Sequence, residues 1–230
     1  AITGSAGKTS LKNLVKYLLQ SLGKTFCSPK SYNNHFGVPL SLSNLSIEHK
    51  YGVFEVGMSK AGEIDALSKL IRPHIAIITN IGEAHIENFK NLKGIADAKS
   101  EIINNIERNG IIILNRDDRF FKYLEKKARL KKIKIITFGL SKKADIHPIY
   151  RSTINKKNLS IKINGEILKI NFKYINIYNV LSSIALLKIL NLNVKKIIKL
   201  LRNFEPSDGR GRIHKIKRYN KHFKLIDESY

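Results

Sequence analysis

The first nine residues hold the densest group of side chains and backbone amides suited to chemistry. Thr3-Gly4-Ser5-Ala6-Gly7-Lys8-Thr9 follows a short apolar run and precedes a helical pattern. Glycines let a backbone turn tightly enough for several N–H groups to point at one anion. A helix starting near Lys8 adds the positive end of its dipole. In that setting Lys8 reaches the β- and γ-phosphates of a nucleotide, and the Thr9 hydroxyl holds Mg2+. The full G-x-x-x-x-G-K-[ST] pattern asks for glycine where Ile2 stands, so this is the variant T-G-x-x-G-K-T. The plain alternative is a glycine-rich turn before an ordinary helix. Strand, loop and helix in the right order favour phosphate binding, with ATP and Mg2+ as the expected pair.

The elements that must position such a loop are legible from periodicity. Apolar, β-rich runs at 51–56, 75–79, 111–114 and 134–138 predict buried strands. Apolar spacing of three and four predicts helices at 11–22, 63–70, 95–107 and 120–129. Ile2 and Thr3 read as the end of a first strand. Alternation of this kind predicts an α/β fold, a mostly parallel P-loop-type sheet flanked by helices. From Asp145 the pattern changes. Segments 159–163 and 167–172 alternate around Asn164-Gly165-Glu166, and Asn-Gly is a strong hairpin signal, so a small antiparallel β subdomain is expected at about 145–173. Helices at 178–190 and 194–203, a loop over 206–211 and a strand at 224–226 complete the expectation.

Composition narrows the function classes. The chain has 230 residues, 43% of them apolar, enough for one sizeable core. No run approaches the roughly 18–20 apolar residues of a membrane span. Cys27 is the only cysteine, which excludes an internal disulfide and a cysteine-based zinc site and fits a reducing, cytoplasmic setting. The net charge of +24 invites a nucleic-acid reading. Against it, 32 of the 42 basic residues are lysines, scattered rather than gathered around aromatic stacking residues. An AT-rich coding sequence writes this Ile/Lys/Asn bias on any solvated surface. No nucleic-acid partner is therefore expected, and the basic surface would instead draw in a polyanionic small molecule. The chain opens on Ala1 and ends at Tyr230 without a polar tail, so a fragment of a longer, monomeric protein is expected.

Further motifs make a family resemblance specific. Asn33-Asn34-His35-Phe36-Gly37-Val38-Pro39-Leu40, Glu55-Val56-Gly57-Met58 with Gly62-Glu63-Ile64, and Arg72-Pro73 occur in order. So do Thr79-Asn80-Ile81-Gly82-Glu83-Ala84-His85, Ala98-Lys99-Ser100-Glu101-Ile102 and Leu114-Asn115-Arg116-Asp117-Asp118. With the loop variant, they resemble the Mur ligase superfamily, which includes the folylpolyglutamate synthetases, and within it the branch that adds D-alanyl-D-alanine. The resemblance covers essentially the whole chain. It places residues 1–222 as a central ATP-binding domain and 223–230 as the opening of a C-terminal domain. The domain that grips the UDP-sugar would lie upstream. One departure stands out: the family's His-Asn-x-x-Asn reads Ile175-Asn176-Ile177-Tyr178-Asn179 here. The histidine is gone and the two asparagines remain.

The resemblance implies amide synthesis. ATP phosphorylates the carboxylate of a UDP-N-acetylmuramoyl tripeptide, the amine of D-alanyl-D-alanine attacks the acyl phosphate, and phosphate leaves. Lys8 and Mg2+ neutralise the meeting anions. Glu55 and His85 follow strands whose carboxyl ends open onto the crevice beside the phosphate loop, and the family holds a second Mg2+ there. A helix-capping carboxylate and a structural histidine are the alternatives. In related ligases the residue matching Lys99 carries a carbamate that binds metal; a solvated helix lysine is the alternative. Also by resemblance, Asn115 approaches adenine or ribose, Asn179 the adenine side and Arg210 the γ-phosphate. Asn33 and Asn34 either contact the muramoyl substrate or shape the loop before Gly37. Asp117 and Asp118 read equally as a helix N-cap pair. Two rivals remain: another superfamily member, such as a diaminopimelate-adding ligase or a folylpolyglutamate synthetase, and a P-loop switch or nucleic-acid ATPase. The Asn33-Asn34 segment argues against the first. Glu55 in place of a Walker B aspartate, and few arginines, argue against the second.

Overall fold

A computed structural model describes residues 1–151, 158–173 and 175–229. In chain order the elements are β1 (Ile2–Thr3), α1 (Lys8–Gln20), β2 (Thr25–Cys27), α2 (Gly37–Ser43), β3 (Tyr51–Val53), α3 (Glu63–Ile71) and β4 (Ile75–Ile78). Then come α4 (Leu92–Ser100), β5 (Ile111–Asn115), α5 (Phe121–Leu130) and β6 (Lys134–Phe138). The remainder is β7 (Pro148–Arg151), β8 (Asn158–Ile163), β9 (Glu166–Asn171), α6 (Ile177–Ile189), α7 (Val194–Ile197), β10 (Arg212–Arg218) and β11 (Lys221–Asp227).

The expected parallel sheet is present, in the order β1-β4-β5-β6, all pairs parallel. β2 and β3 pair in parallel beside it, and a parallel bridge between Ile2 and Glu55 joins the two sets. The run 51–56 is thus shared. Tyr51–Val53 pairs with β2, and the chain then shifts so that Ile2 bonds the backbone of Phe54 and Val56. This shift ends the regular strand at Val53 rather than at Val56.

Burial on both faces explains the isoleucine-rich strands. Side chains of a strand alternate between faces. Ile77 and Ile113 join α1, α6 and the small antiparallel sheet in one core, while Ala76, Ile78, Ile112 and Leu114 join α3, α4 and α5 in the other. Each fully buried Leu or Ile contributes about 1.5–3 kcal/mol of transfer free energy. The two cores therefore clamp the strand ends that carry the site.

Several boundaries differ from expectation. The helix expected at 95–107 starts at Leu92, where the Asn91 side chain accepts from Gly94 N, and becomes a 3-10 turn over Glu101–Asn105. That expected at 194–203 becomes a 3-10 turn from Ile198. The antiparallel sheet has the order β7-β8-β9. Its β8–β9 turn uses two residues, Asn164 and Gly165, both at positive φ (50° and 87°), and Glu166 already pairs with Ile163. That is the geometry of a primed hairpin turn. Residues 152–157 of the expected subdomain, and Tyr230, lie outside the described residues. β10 and β11 form a hairpin in register from Arg212–Asp227 to Arg218–Lys221, so the boundary expected between 222 and 223 falls inside β11. No helix among the described residues is long and apolar enough to cross a membrane.

Gly4 shows why the first loop needs glycine. Its φ is +146°, and a Cβ there would lie 1.8 Å from Thr79 Oγ1. Gly4→Ala is predicted to destabilise the fold by about 1–3 kcal/mol through overpacking and backbone strain. Urea unfolding of the two proteins measures this directly; equal midpoints would contradict the packing described.

Candidate active site

The phosphate loop is held from outside. Asn80 Oδ1 accepts from Ala6 N at 2.9 Å, Thr79 Oγ1 donates to Ala6 O at 2.7 Å, and Ser5 exchanges hydrogen bonds with the backbone of Gly82. Gly7 sits in the left-handed region (φ 80°) as the N-cap of α1, and no side chain caps that helix. The first turn of a helix leaves N–H groups without intrahelical partners. Here they face a concave loop, which suits a phosphate. Lys8 Nζ donates to Gly4 O at 2.9 Å, folded over the loop. Burial draws the Lys8 ammonium below its ordinary range; Glu55 opposes this and Arg210 adds to it.

The loop forms a wall between two clefts. The first, about 650 Å³, is lined by Ala6, Gly7, Asn115, Asn179 and Arg210 among others. The second, about 580 Å³, is lined by Ser5, Ala6, Gly7, Lys8 and Thr9 together with Asn33, Asn34, Glu55, His85, Lys99 and Arg210. The residues expected to meet nucleotide base and sugar thus share one side. Those expected to hold metal and substrate share the other. Arg210 borders both, its Nη2 3.4 Å from Thr9 Oγ1. Thr3 and Gly4 line neither cleft. Thr3 is buried in β1, where its carbonyl accepts from Thr79 N, and Gly4 shapes the turn. In this structure both residues have a supporting place at the base of the loop.

Glu55 is 1% exposed. Its Oε1 accepts from Asn33 Nδ2 at 2.8 Å, and Lys12 Nζ lies 3.5 Å from Oε2. Oε2 is buried without a hydrogen-bond partner, a costly state for a carboxylate. An orphaned oxygen of this kind, with the Thr9 hydroxyl lining the same cleft, fits a hard cation that takes oxygen ligands. His85 is exposed, at φ 65°, on the loop after β4. Lys99 is 1% exposed, in the last turn of α4. Burial, and then the Lys8 charge, lower its pKa to about 7. That rules out the solvated-lysine alternative.

Asn115 is engaged at both ends, Nδ2 to Thr79 O at 3.1 Å and Oδ1 from Asp117 N at 3.0 Å. The Asn179 amide packs against Gly7, where a Cβ would meet its Oδ1 at 3.2 Å, so it stands near the phosphate end of its cleft. Asn34 Oδ1 accepts from Phe36 N and Gly37 N, shaping the turn into α2. Asp117 and Asp118 do not cap α5, whose N-cap is Phe120. Asp118 accepts from Ile81 N at 2.7 Å, and Asp117 from Ser141 N at 3.1 Å, bracing the loops at the cleft rim. Sequence reasoning missed the bracing work of Thr79 and Asn80, and it missed Lys12 altogether.

A parallel sheet, a Gly-Lys-Thr loop at a strand end and an uncapped helix behind it define a P-loop nucleotide-binding protein. The chain belongs to the Mur ligase family: residues 2–187 match the Mur ligase middle domain. It is 35% identical over 222 residues to the UDP-N-acetylmuramoyl-tripeptide–D-alanyl-D-alanine ligase of Rickettsia prowazekii, covering 94% of this chain and 49% of that protein. The enzyme of the same name from Buchnera aphidicola subsp. Baizongia pistaciae is 35% identical over 237 residues, covering 100% of this chain and 50% of the relative. Among solved structures, MurF from Acinetobacter baumannii superposes with a TM-score of 0.89 at 30% identity, covering 100% of this chain and 50% of its own. MurF ligase from Thermotoga maritima, solved in complex with ADP, gives 0.83 at 26% identity, covering 100% and 52%. The chain spans about half the length of the curated relatives it matches.

Lys8→Ala removes the lysine that folds over the loop. It is predicted to weaken a fluorescent ATP analogue by roughly 1.5–3 kcal/mol, the value of a charged hydrogen bond. Equal affinity in a titration of both proteins would remove Lys8 from the phosphate site.

Proposed function

We propose that this chain is the ATP-binding part of a ligase that joins D-alanyl-D-alanine to UDP-N-acetylmuramoyl-tripeptide. The observation that carries the reading is the second cleft, where Lys8, Thr9, Glu55, His85, Lys99 and Asn33 converge across the phosphate loop from a nucleotide-sized cleft. The relatives' names supply the substrate class, and the geometry supplies a way to use it.

Adenine and ribose would occupy the cleft toward Asn115, with Asn179 nearer its phosphate end, and the triphosphate would pass over the loop. Lys8 swings from Gly4 O to the β- and γ-phosphates, and Arg210 reaches the γ-phosphate from the rim. Thr9, Glu55 and His85 would hold Mg2+, which when bound offsets the charge of the two anions that must meet. The tripeptide carboxylate attacks the γ-phosphorus in line, and ADP leaves with the bridging oxygen. The dipeptide amine then attacks the acyl phosphate, loses a proton and expels phosphate. Lys99, with its lowered pKa, has a neutral amine available near pH 7. Addition of that nitrogen to CO2, with release of a proton, would give a carbamate, an anion able to help hold Mg2+. A free ammonium at that place would repel the metal.

The test expresses the chain with whatever coding sequence flanks it and supplies ATP, Mg2+, the UDP-muramoyl tripeptide and D-alanyl-D-alanine. UDP-muramoyl pentapeptide, ADP and phosphate should form in equal amounts. Product with diaminopimelate or glutamate as the amine, and none with the dipeptide, would overturn the substrate assignment. In the same protein Lys99→Ala is predicted to lower the rate on the order of a hundred-fold or more, the scale of losing one preorganised charge-stabilising group. Acetate or formate at matched ionic strength should restore part of it. A rate near wild type without added acid would return Lys99 to a packing role.

A further inference from the structure

Lys12 is wholly buried, one turn beyond Lys8 on α1, and lines neither cleft. Taking an ammonium out of water costs several kcal/mol unless its donors are used. Lys12 has two carbonyl acceptors and a carboxylate in ion-pair range. Nζ donates to Ser28 O at 2.8 Å, hydrogen-bonds Lys30 O, and stands 3.5 Å from Glu55 Oε2. Both carbonyls belong to segment 28–34, which leads from β2 to the paired asparagines. Lys30 holds a left-handed φ of 41°, an uncommon state for a residue with a side chain.

The same segment is tied to the Glu55 strand end at three more points. Glu55 N donates to Ser28 Oγ at 3.2 Å, Asn33 Nδ2 donates to Glu55 Oε1 at 2.8 Å, and Gly57 N donates to Asn33 O at 2.8 Å. Gly57 allows this approach, since a Cβ would lie 2.8 Å from the Asn33 side chain. One buried cation therefore links the phosphate-loop helix, the asparagine segment and the site carboxylate. An apolar side chain of equal length would fill the same space without the desolvation cost. What the charge adds is a fixed mutual placement of the three.

We propose that Lys12 is a positioning residue: its ammonium sets the Asn33 segment and Glu55 in register with the phosphate loop, and so sets where the acceptor substrate sits relative to ATP. The proposal rests on the ligase reading for the identity of that substrate. Lys12 lines neither cleft, so its loss separates an indirect effect on the acceptor side from a direct one on ATP.

The test uses Lys12→Met in the protein with its flanking sequence, and Lys12→Gln if the first does not fold. Amide hydrogen exchange should rise in segment 28–34 and stay unchanged in residues 3–9. ATP-analogue affinity should stay within about two-fold of wild type, while KM for the UDP-muramoyl tripeptide rises ten-fold or more. Adding Asn33→Ala should cost little beyond Asn33→Ala alone, because both break one linkage. Unchanged exchange and unchanged KM would overturn the proposal. So would ATP affinity and acceptor KM deteriorating together, the mark of a general loosening. Wild-type protein that makes no pentapeptide would instead overturn the ligase reading, and with it the acceptor named here.

Discussion

A carboxylate buried beside the Gly-Lys-Thr loop is the constraint on which this structure turns. Glu55 is 1% exposed, and one of its oxygens has no hydrogen-bond partner. Such a group is tolerable only where cations compensate it. Lys12 stands behind it, and the Lys8 charge lies close enough for Glu55 to oppose the fall in the Lys8 pKa. Asn33 takes the other oxygen. The crossing of the strand from β2 to β1 brings Glu55 to this point, through the bridge with Ile2. Sheet topology, helix charge and loop conformation thus converge on one buried acid beside the Gly-Lys-Thr loop.

The phosphate loop is the second fixed element, and it is fixed by its neighbours rather than by itself. Thr79 and Asn80, at the end of β4, hold Ala6 from both its N–H and its C=O. Asp118 holds the next residue, Ile81. The loop after β4 therefore supports the phosphate loop on one side and carries His85 on the other. In the proposed reaction, a wall between two clefts would give a nucleotide and an acceptor separate approaches, a placement that can supply several kcal/mol of a barrier.

Much of this was legible in the sequence. Isoleucine-rich runs marked β4, β5 and β6 because both of their faces are buried, and Asn164-Gly165 marked the β8–β9 turn because both residues adopt positive φ. The motif spacing named the second-cleft residues that the fold brings together. Less legible were elements whose reason is tertiary. β2 and β10 are a short strand and an exposed ribbon, with too little apolar alternation to announce themselves. α2 contains Gly37 and Pro39, which read as breakers, yet proline near a helix start loses no intrahelical bond. Lys12 looked like one more lysine on an amphipathic helix. Only the contacts of segment 28–34 and Glu55 reveal that it points inward. Likewise Asp117 and Asp118 precede a helix in sequence; Asp118 Oδ1 accepts from nearby Phe120 N, but their other side-chain partners lie on loops 23 to 37 residues away.

The central claim is that nucleotide and metal meet at the loop between the two clefts. The most direct measurement is a crystal structure with Mn2+ and a non-hydrolysable ATP analogue, using the anomalous signal of the metal. The account predicts the base in the cleft of Asn115 and Asn179, the phosphates over Gly7, and a manganese peak within ligand distance of Thr9 Oγ1 or Glu55. Among the described residues, Asp208, His214 and Asp227 are the group of three Asp, Glu, His or Cys side chains close enough to share an ion, and Glu55 and His85 are not part of it. Manganese confined to that cluster, with the nucleotide away from the loop, would contradict the account.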